Sequence, residues 1–326
     1  MKSRVIGTGS YAPEKVLTNY DLEKMVETNH DWIVARTGIE ERRIAADDEF
    51  TSDLATKAAQ RALEMAGVAA DEIDVIVLAT ITGDYPWPAT ACIVQNNIGA
   101  KNAYAYDVSA ACSGFLYALA SADDFLMAGR GKKALVIGAE LFSRSCIDWT
   151  DRNTCVLFGD GAGAVVLEAQ ESESGVLSSH LYTDGSYLEL LYQPGFGVRH
   201  QASQEGIEAK LPFLKMQGNE VFKHAVRMMT EVSKEALKHN GYTSKDVGQF
   251  IPHQANIRIL EATVKRLKLT EEQSFINVNK YGNTSAATIP IAIDEANRGG
   301  KLKEGDLALL TAFGGGFTWG GTLLRW

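Results

Sequence analysis

AYDVSAACSG, residues 105–114, lies over FINVNKYGNT, residues 275–284, with Asp107 on Asn277 and Val108 on Val278. In each copy a strand-like run breaks into small and polar residues. Upstream, SDLATKAAQRALEMAG from Ser52 and the apolar IDVIVLAT that follows have counterparts in NEVFKHAVRMMTEVSKEALKHNG and DVGQFIPH, pairing Gly67 with Gly241, Ile73 with Val247 and Val77 with Ile251. Downstream, KALVIGAE from Lys133 lies over DLALLTAF from Asp306. Three pairings in one order, at a spacing of about 170–174 residues, point to an internal duplication.

Within the first copy, Leu54, Ala58, Leu63 and Ala66 share one helical face, with Ser52 as N-cap and Gly67 as stop. Helical and apolar strand-like segments alternate along the chain without heptads or low-complexity tracts, which is the grammar of an α/β protein. The expectation is two similar α/β halves, 1–170 and 171–326. Residues 171–216, with ESESG and YQPGFGVRHQASQEG, are polar and aperiodic and read as a linker plus loops.

Composition narrows the chemistry. The 326 residues are 45% hydrophobic and 22% charged, enough to bury a large core. A formal net charge of −9 argues against a nucleic-acid surface, although a local basic patch can still receive an acidic partner. No apolar run has the length of a membrane span, and MKSRVIGTGSYAPEKV reads as strand and loop without the apolar core of a signal peptide, so a cytoplasmic protein is expected. Cys92, Cys112, Cys146 and Cys155 form no CxxC pair and have no histidine at ligand spacing, so they read as reduced thiols with no metal site. GTGSYA at Gly7 matches a dinucleotide fingerprint loosely, but Pro13 and a loop follow where a helix is needed. FGDGAGAVVLEA runs into a strand and is no phosphate cradle.

Cys112 stands where a strand pattern turns into the helical SGFLYALASADDFLMAG, whose Phe115, Leu119, Ala122 and Leu126 form an apolar stripe. A buried packing thiol is the plain alternative. At the mouth of a helix, however, the partial positive charge favours thiolate, backbone N–H groups face an oxyanion, and the small neighbours admit a substrate carbonyl. Of six histidines, five lie in polar loops or on helix faces; His253 follows a strand end and Pro252 and precedes a helix, where α/β proteins gather function. Asn283 follows Gly282 before a helix rich in small residues, within one position of the duplicate of Cys112; it reads as a helix cap or as a site residue. Gly314, Gly315 and Gly316 make either a hairpin turn or a place where a backbone N–H points into a site.

Together DWIVARTGIEERR, DVSAACSGF, FGDGAGAVVL, PHQANIR, YGNTSAA and AFGGGFTWG resemble, in order and nearly end to end, the thiolase superfamily and within it the beta-ketoacyl-acyl-carrier-protein synthase III family. The resemblance implies a thiolase-like fold, two duplicated halves in a layered α-β-α-β-α sandwich. It implies Cys112, His253 and Asn283 as catalytic residues, with Cys112 acylated and the N–H groups of Cys112 and Gly316 as oxyanion hole. The implied reaction joins an acyl-CoA primer, acetyl-CoA being the expected one, to malonyl-acyl carrier protein by decarboxylative condensation. Decarboxylation supplies the carbanion, so an asparagine that takes no proton suits position 283. A biosynthetic thiolase would need a second cysteine near its C-terminal glycines, and Phe313 precedes Gly314 here; elongating synthases carry histidine at 283. Cys-His-Asn ketosynthases of polyketide or other secondary metabolism remain the alternative. For CoA the resemblance points to Thr28, Trp32, Arg36, Arg152, Gly218, Phe222 and Asn256, and for the carrier protein to a basic patch of Lys223, Arg258, Lys265 and Arg266. Trp87 and Phe158 are the expected acyl-pocket residues. No cofactor is implied, CoA thioester being substrate, and a homodimer is the family expectation.

Overall fold

The computed structural model describes residues 1–326. Its first sheet holds β1 (Lys2–Tyr11), β2 (Val75–Ala79), β3 (Tyr104–Val108), β4 (Lys133–Glu140) and β5 (Gly161–Gln170), in the order β1-β5-β4-β2-β3. The second holds β6 (Gly175–Thr183), β7 (Val247–Pro252), β8 (Leu307–Gly314) and β9 (Thr318–Arg325), in the order β7-β8-β9-β6. The senses repeat: β2 runs parallel to β4 as β7 does to β8, while β4–β5 and β8–β9 are antiparallel, as are β1–β5 and β6–β9. Even β3 has a remnant, the parallel bridge Phe250–Ser274.

Six helices complete five layers. α1 (Thr51–Ala66) and α2 (Thr90–Ile98) cover the outer face of the first sheet, and α4 (Gly218–His239) and α5 (Ile257–Leu267) that of the second. Between the sheets lie α3 (Gly114–Met127) and α6 (Thr288–Arg298). The central core joins Phe115 and Leu119 of α3 and Ile289 and Ile293 of α6 to Val77 and Val136 of one sheet and Ile251 and Leu310 of the other. Along β2, Val75 and Val77 face this core while Ile76 and Leu78 face α1 and α2, which is why IDVIVLAT is apolar at every position. No helix is long and apolar enough to cross a membrane.

Three expectations need correction. Gly175–Thr183, placed in a linker from sequence, is a strand; it is the edge of its sheet and half-exposed, so its serines and histidine blunt the apolar alternation that marks an inner strand. Helix α1 begins two residues earlier than a Ser52 cap requires: Phe50 is the N-cap residue, its N–H bound by Asp53 Oδ2 at 2.9 Å, while Ser52 Oγ donates to Asp84 at 2.6 Å. Finally, Asn283 lies further than one position from the duplicate of Cys112. The left-handed residues at the two strand-to-helix elbows are Ala111 (φ 47°) and Ser285 (φ 50°), so Cys112 answers to Ala286. The short helix Val278–Tyr281 lengthens the second copy and carries Asn283 to a place the first lacks.

The elbows sit against the sheet through glycine. A Cβ on Gly138 of β4 would lie 2.2 Å from the carbonyl oxygen of Ala286. Gly138→Ala is therefore expected to lower unfolding stability by at least about 2 kcal/mol in a urea titration; an unchanged midpoint would contradict so close an approach.

Candidate active site

Cys112 occupies a 3-10 turn, Ala111–Ser113, at the head of α3. The turn is fastened to the other half: Ser113 Oγ donates to the Thr318 carbonyl at 3.0 Å and Thr318 Oγ1 to the Ala110 carbonyl at 2.8 Å. These bonds bring the Gly314–Gly316 turn of the β8–β9 hairpin against the cysteine. Those glycines make the hairpin turn of the first sequence reading, and Gly315 and Gly316 also line the cleft.

His253 follows β7, donates its backbone N–H to Thr311 O at 2.8 Å, and is 2% exposed. Its Nδ1 lies 2.7 Å from Thr288 Oγ1 at the start of α6. Burial among uncharged groups pulls the imidazole down to about 3. Asn283 is held by a parallel bridge to Phe158, its N–H donating to Leu157 O at 2.8 Å and its carbonyl accepting from Gly159 at 3.1 Å. The side-chain Oδ1 accepts the Ser285 N–H at 2.8 Å, so the Nδ2 group is the end free to donate elsewhere. Asn283 therefore caps the elbow and also presents a donor.

Electrostatics departs from the sequence expectation at Cys112. Burial pushes its thiol up from the ordinary value of 9.0 to about 12. That rise is about 4 kcal/mol, more than the roughly 1–2 kcal/mol that a helix N-terminus returns, so the resting group is the thiol and not the thiolate.

One cleft of about 1080 Å³ is lined by Cys112, His253, Asn283 and Gly316 together with Trp32, Arg36, Gly218, Phe222, Asn256, Arg258 and Phe158. At its mouth the guanidiniums of Arg36 and Arg152 lie 4.8 and 4.9 Å from the centre of the Trp32 ring, and Arg258 lies 5.7 Å from that of Phe222. Inside, Phe158 stacks on Phe142 with centroids 4.8 Å apart. Thr28, Arg152, Lys223, Lys265, Arg266 and Trp87 do not line this cleft, and Trp87 is 83% exposed. Lys223 is paired with Glu220 at 2.7 Å and lines, with His224, Arg227 and Arg266, a smaller adjoining recess that shares Phe222. Sequence reading passed over Thr288 and Ser285, which look like cap residues in NTSAAT, and Glu140. An acid closing the apolar run of β4 was a readable signal.

The sequence profile described as 3-Oxoacyl-[acyl-carrier-protein (ACP)] synthase III matches residues 106–185, and that of its C-terminal part matches residues 237–326. A beta-ketoacyl-[acyl-carrier-protein] synthase III of Xanthomonas euvesicatoria is 55% identical over 325 residues, 99% of this chain and 98% of the relative. The chain belongs to this synthase III family. Its fold is the family's thiolase-like fold: the crystal structure of 3-oxoacyl-[acyl-carrier-protein] synthase III from Aquifex aeolicus superposes with a TM-score of 0.92 at 50% identity, over 99% of this chain and 100% of that one. The priming beta-ketosynthase of the R1128 polyketide pathway also superposes at 0.92, with 36% identity over 99% of this chain and 96% of that one. Family membership makes the chain an acyltransferase-class condensing enzyme.

Because the buried His253 titrates near 3, it stays neutral throughout the working range. Nitrogen-15 NMR of the imidazole is expected to find one protonated nitrogen and no titration between about pH 5 and 9; an imidazolium at pH 5 would contradict this.

Proposed function

We propose that the chain initiates fatty-acid synthesis by condensing an acyl-CoA primer, acetyl-CoA first among them, with malonyl-acyl carrier protein to give 3-ketoacyl-acyl carrier protein, CoA and carbon dioxide. The observation that carries this is the meeting of a cysteine at a helix-head elbow, a neutral buried histidine and an asparagine with a free amide donor in one cleft. In this reading the Cys112 sulfur attacks the thioester carbonyl, the N–H groups of Cys112 and Gly316 hold the oxyanion, and CoA departs from an acyl-enzyme. Malonyl thioester then enters, and His253 and Asn283 donate to its carbonyl as carbon dioxide leaves and an enolate forms. The enolate carbon attacks the acyl-cysteine. His253 must donate from Nε2 for this, which requires the Thr288 hydroxyl, 2.7 Å from His253 Nδ1 and 3.0 Å from the Ser285 carbonyl, to give its single proton to Nδ1. Decarboxylation makes the nucleophile, so no cofactor enters.

Trp32, flanked by Arg36 and Arg152, suits an adenine ring and its phosphates, with Thr28, Gly218, Phe222 and Asn256 completing the CoA path. Lys223, Arg258, Lys265 and Arg266 supply the local positive surface for an acidic carrier protein in a chain whose net charge is −9. Phe158 lines the acyl chamber. Trp87 serves the pocket of a second copy in a homodimer: Ile81 lines the cleft, and the exposed Tyr85 and Trp87 follow it on the surface. The division into halves at 1–170 and 171–326, and a place in the cytoplasm, belong to the same reading. Likeness to a polyketide priming ketosynthase keeps a second reading open, with the same chemistry and a different acceptor.

The test is intact-protein mass after incubation with a panel of acyl-CoAs, then with malonyl-acyl carrier protein. A single adduct absent from Cys112→Ala, discharged as 3-ketoacyl-carrier protein, is the expected result, and the primers accepted define specificity. No adduct from any acyl-CoA sinks the reading; discharge only by another acceptor favours the second. Trp32→Ala is expected to raise the acyl-CoA KM about tenfold with kcat little changed, measured by steady-state release of CoA.

A further inference from the structure

Glu140 is fully buried at the end of β4 and forms no ion pair. Its Oε2 accepts from Thr80 Oγ1 at 3.2 Å, the Ile81 N–H at 3.2 Å and Thr82 Oγ1 at 2.5 Å, whereas Oε1 has no hydrogen-bond partner. Ser285 is equally buried, and its Oγ is also without a partner. Its backbone is held in the left-handed region, with the N–H on Asn283 Oδ1 at 2.8 Å. The turn that begins at Ser285 packs against both the Ala111–Ser113 turn of Cys112 and the strand that Glu140 ends. Buried polar atoms are seldom left unpaired without a use.

Resting on the reading of Cys112 as the acylated nucleophile, we infer that Ser285 and Glu140 form a proton relay for acylation, in which Cys112 passes its proton to Ser285 Oγ as the Ser285 hydroxyl proton passes to Glu140 Oε1. The sulfur lone pair forms the new bond to the thioester carbon while the carbonyl pair moves onto oxygen. On collapse the bond to the CoA sulfur breaks with its electron pair, and the departing thiolate recovers the proton along the same route. One proton has then moved from the cysteine sulfur to the CoA sulfur, and Glu140 ends as it began. In this relay Ser285 Oγ is the first acceptor, and Glu140 acts through it.

The relay meets a need. The thiol is held high by burial, and His253, pulled down to about 3, is too weak a base to take its proton. Burial raises the Glu140 carboxyl to about 7, matched to proton uptake near neutrality. The titratable groups facing Glu140 are the Cys112 thiol and the Cys146 thiol, itself pushed up to about 12; the rest are the Thr80, Thr82 and Ser285 hydroxyls and the Ile81 N–H.

The test compares wild type with Ser285→Ala, Glu140→Gln and Glu140→Asp, following acylation by acetyl-CoA by quenched intact mass over about pH 5.5–9. Discharge of the fully acylated enzymes by malonyl-carrier protein is timed separately. Ser285→Ala and Glu140→Gln are expected to slow acylation on the order of 100-fold at neutral pH and to abolish the limb near pH 7. Discharge changes by less than about twofold, and Glu140→Asp recovers part of the acylation rate. Acylation at the wild-type rate with the wild-type pH profile overturns the relay, as does equal slowing of both half-reactions with no recovery in Glu140→Asp, the mark of a merely structural role. Failure of wild type to take the acyl group on Cys112 would instead defeat the nucleophile reading.

Discussion

Cys112 can occupy its elbow only because Gly314 carries no side chain: a Cβ there would lie 2.6 Å from the Cys112 backbone nitrogen and 3.0 Å from its Cβ. This contact is the seam of the molecule. The cysteine is at the head of a helix from the first copy, and the glycine ends a strand of the second. Ser113 and Thr318 lock the two together with hydrogen bonds to each other's neighbourhood. On the far side Gly138 admits Ala286 with the same intimacy. Duplication therefore does more than double a core. It brings two elbows nose to nose between the sheets, so that residues far apart in sequence line one cleft.

Burial at the seam sets the chemistry. The same desolvation that leaves His253 neutral, and so fit to donate without becoming a charge, lifts the Cys112 thiol and the Glu140 carboxyl. On the proposed reading the resting thiol is protonated, and its activation falls to groups that take up a proton when substrate arrives. The region around Trp32 and Phe222 is the opposite environment, where three arginines lie over the two rings.

Much of this was legible in the sequence. The alternation of helix and strand, the repeat, and the placement of Cys112 and His253 after strands all rest on patterns that packing enforces: β2 reads as unbroken hydrophobicity because both of its faces are covered. What escaped notice had weaker signals. Gly175–Thr183 is an edge strand that can stay polar. The loop that carries Asn283 is longer than its counterpart, and an ungapped alignment cannot register such a change. The raised thiol depends on depth of burial, which the small residues around Cys112 conceal. Glu140, Ser285 and Thr288 are brought together by the packing of segments that sequence order keeps apart.

The most direct measurement is a crystal structure of the acyl-enzyme formed from an acyl-CoA. The seam places the acyl group on Cys112, its carbonyl oxygen about 3 Å from the N–H groups of Cys112 and Gly316, with His253 Nε2 and Asn283 Nδ2 facing the open space beside it. An acyl group on Cys92, Cys146 or Cys155, or a carbonyl oxygen turned away from Gly316 toward His253, would contradict the assembly of the site from the two elbows.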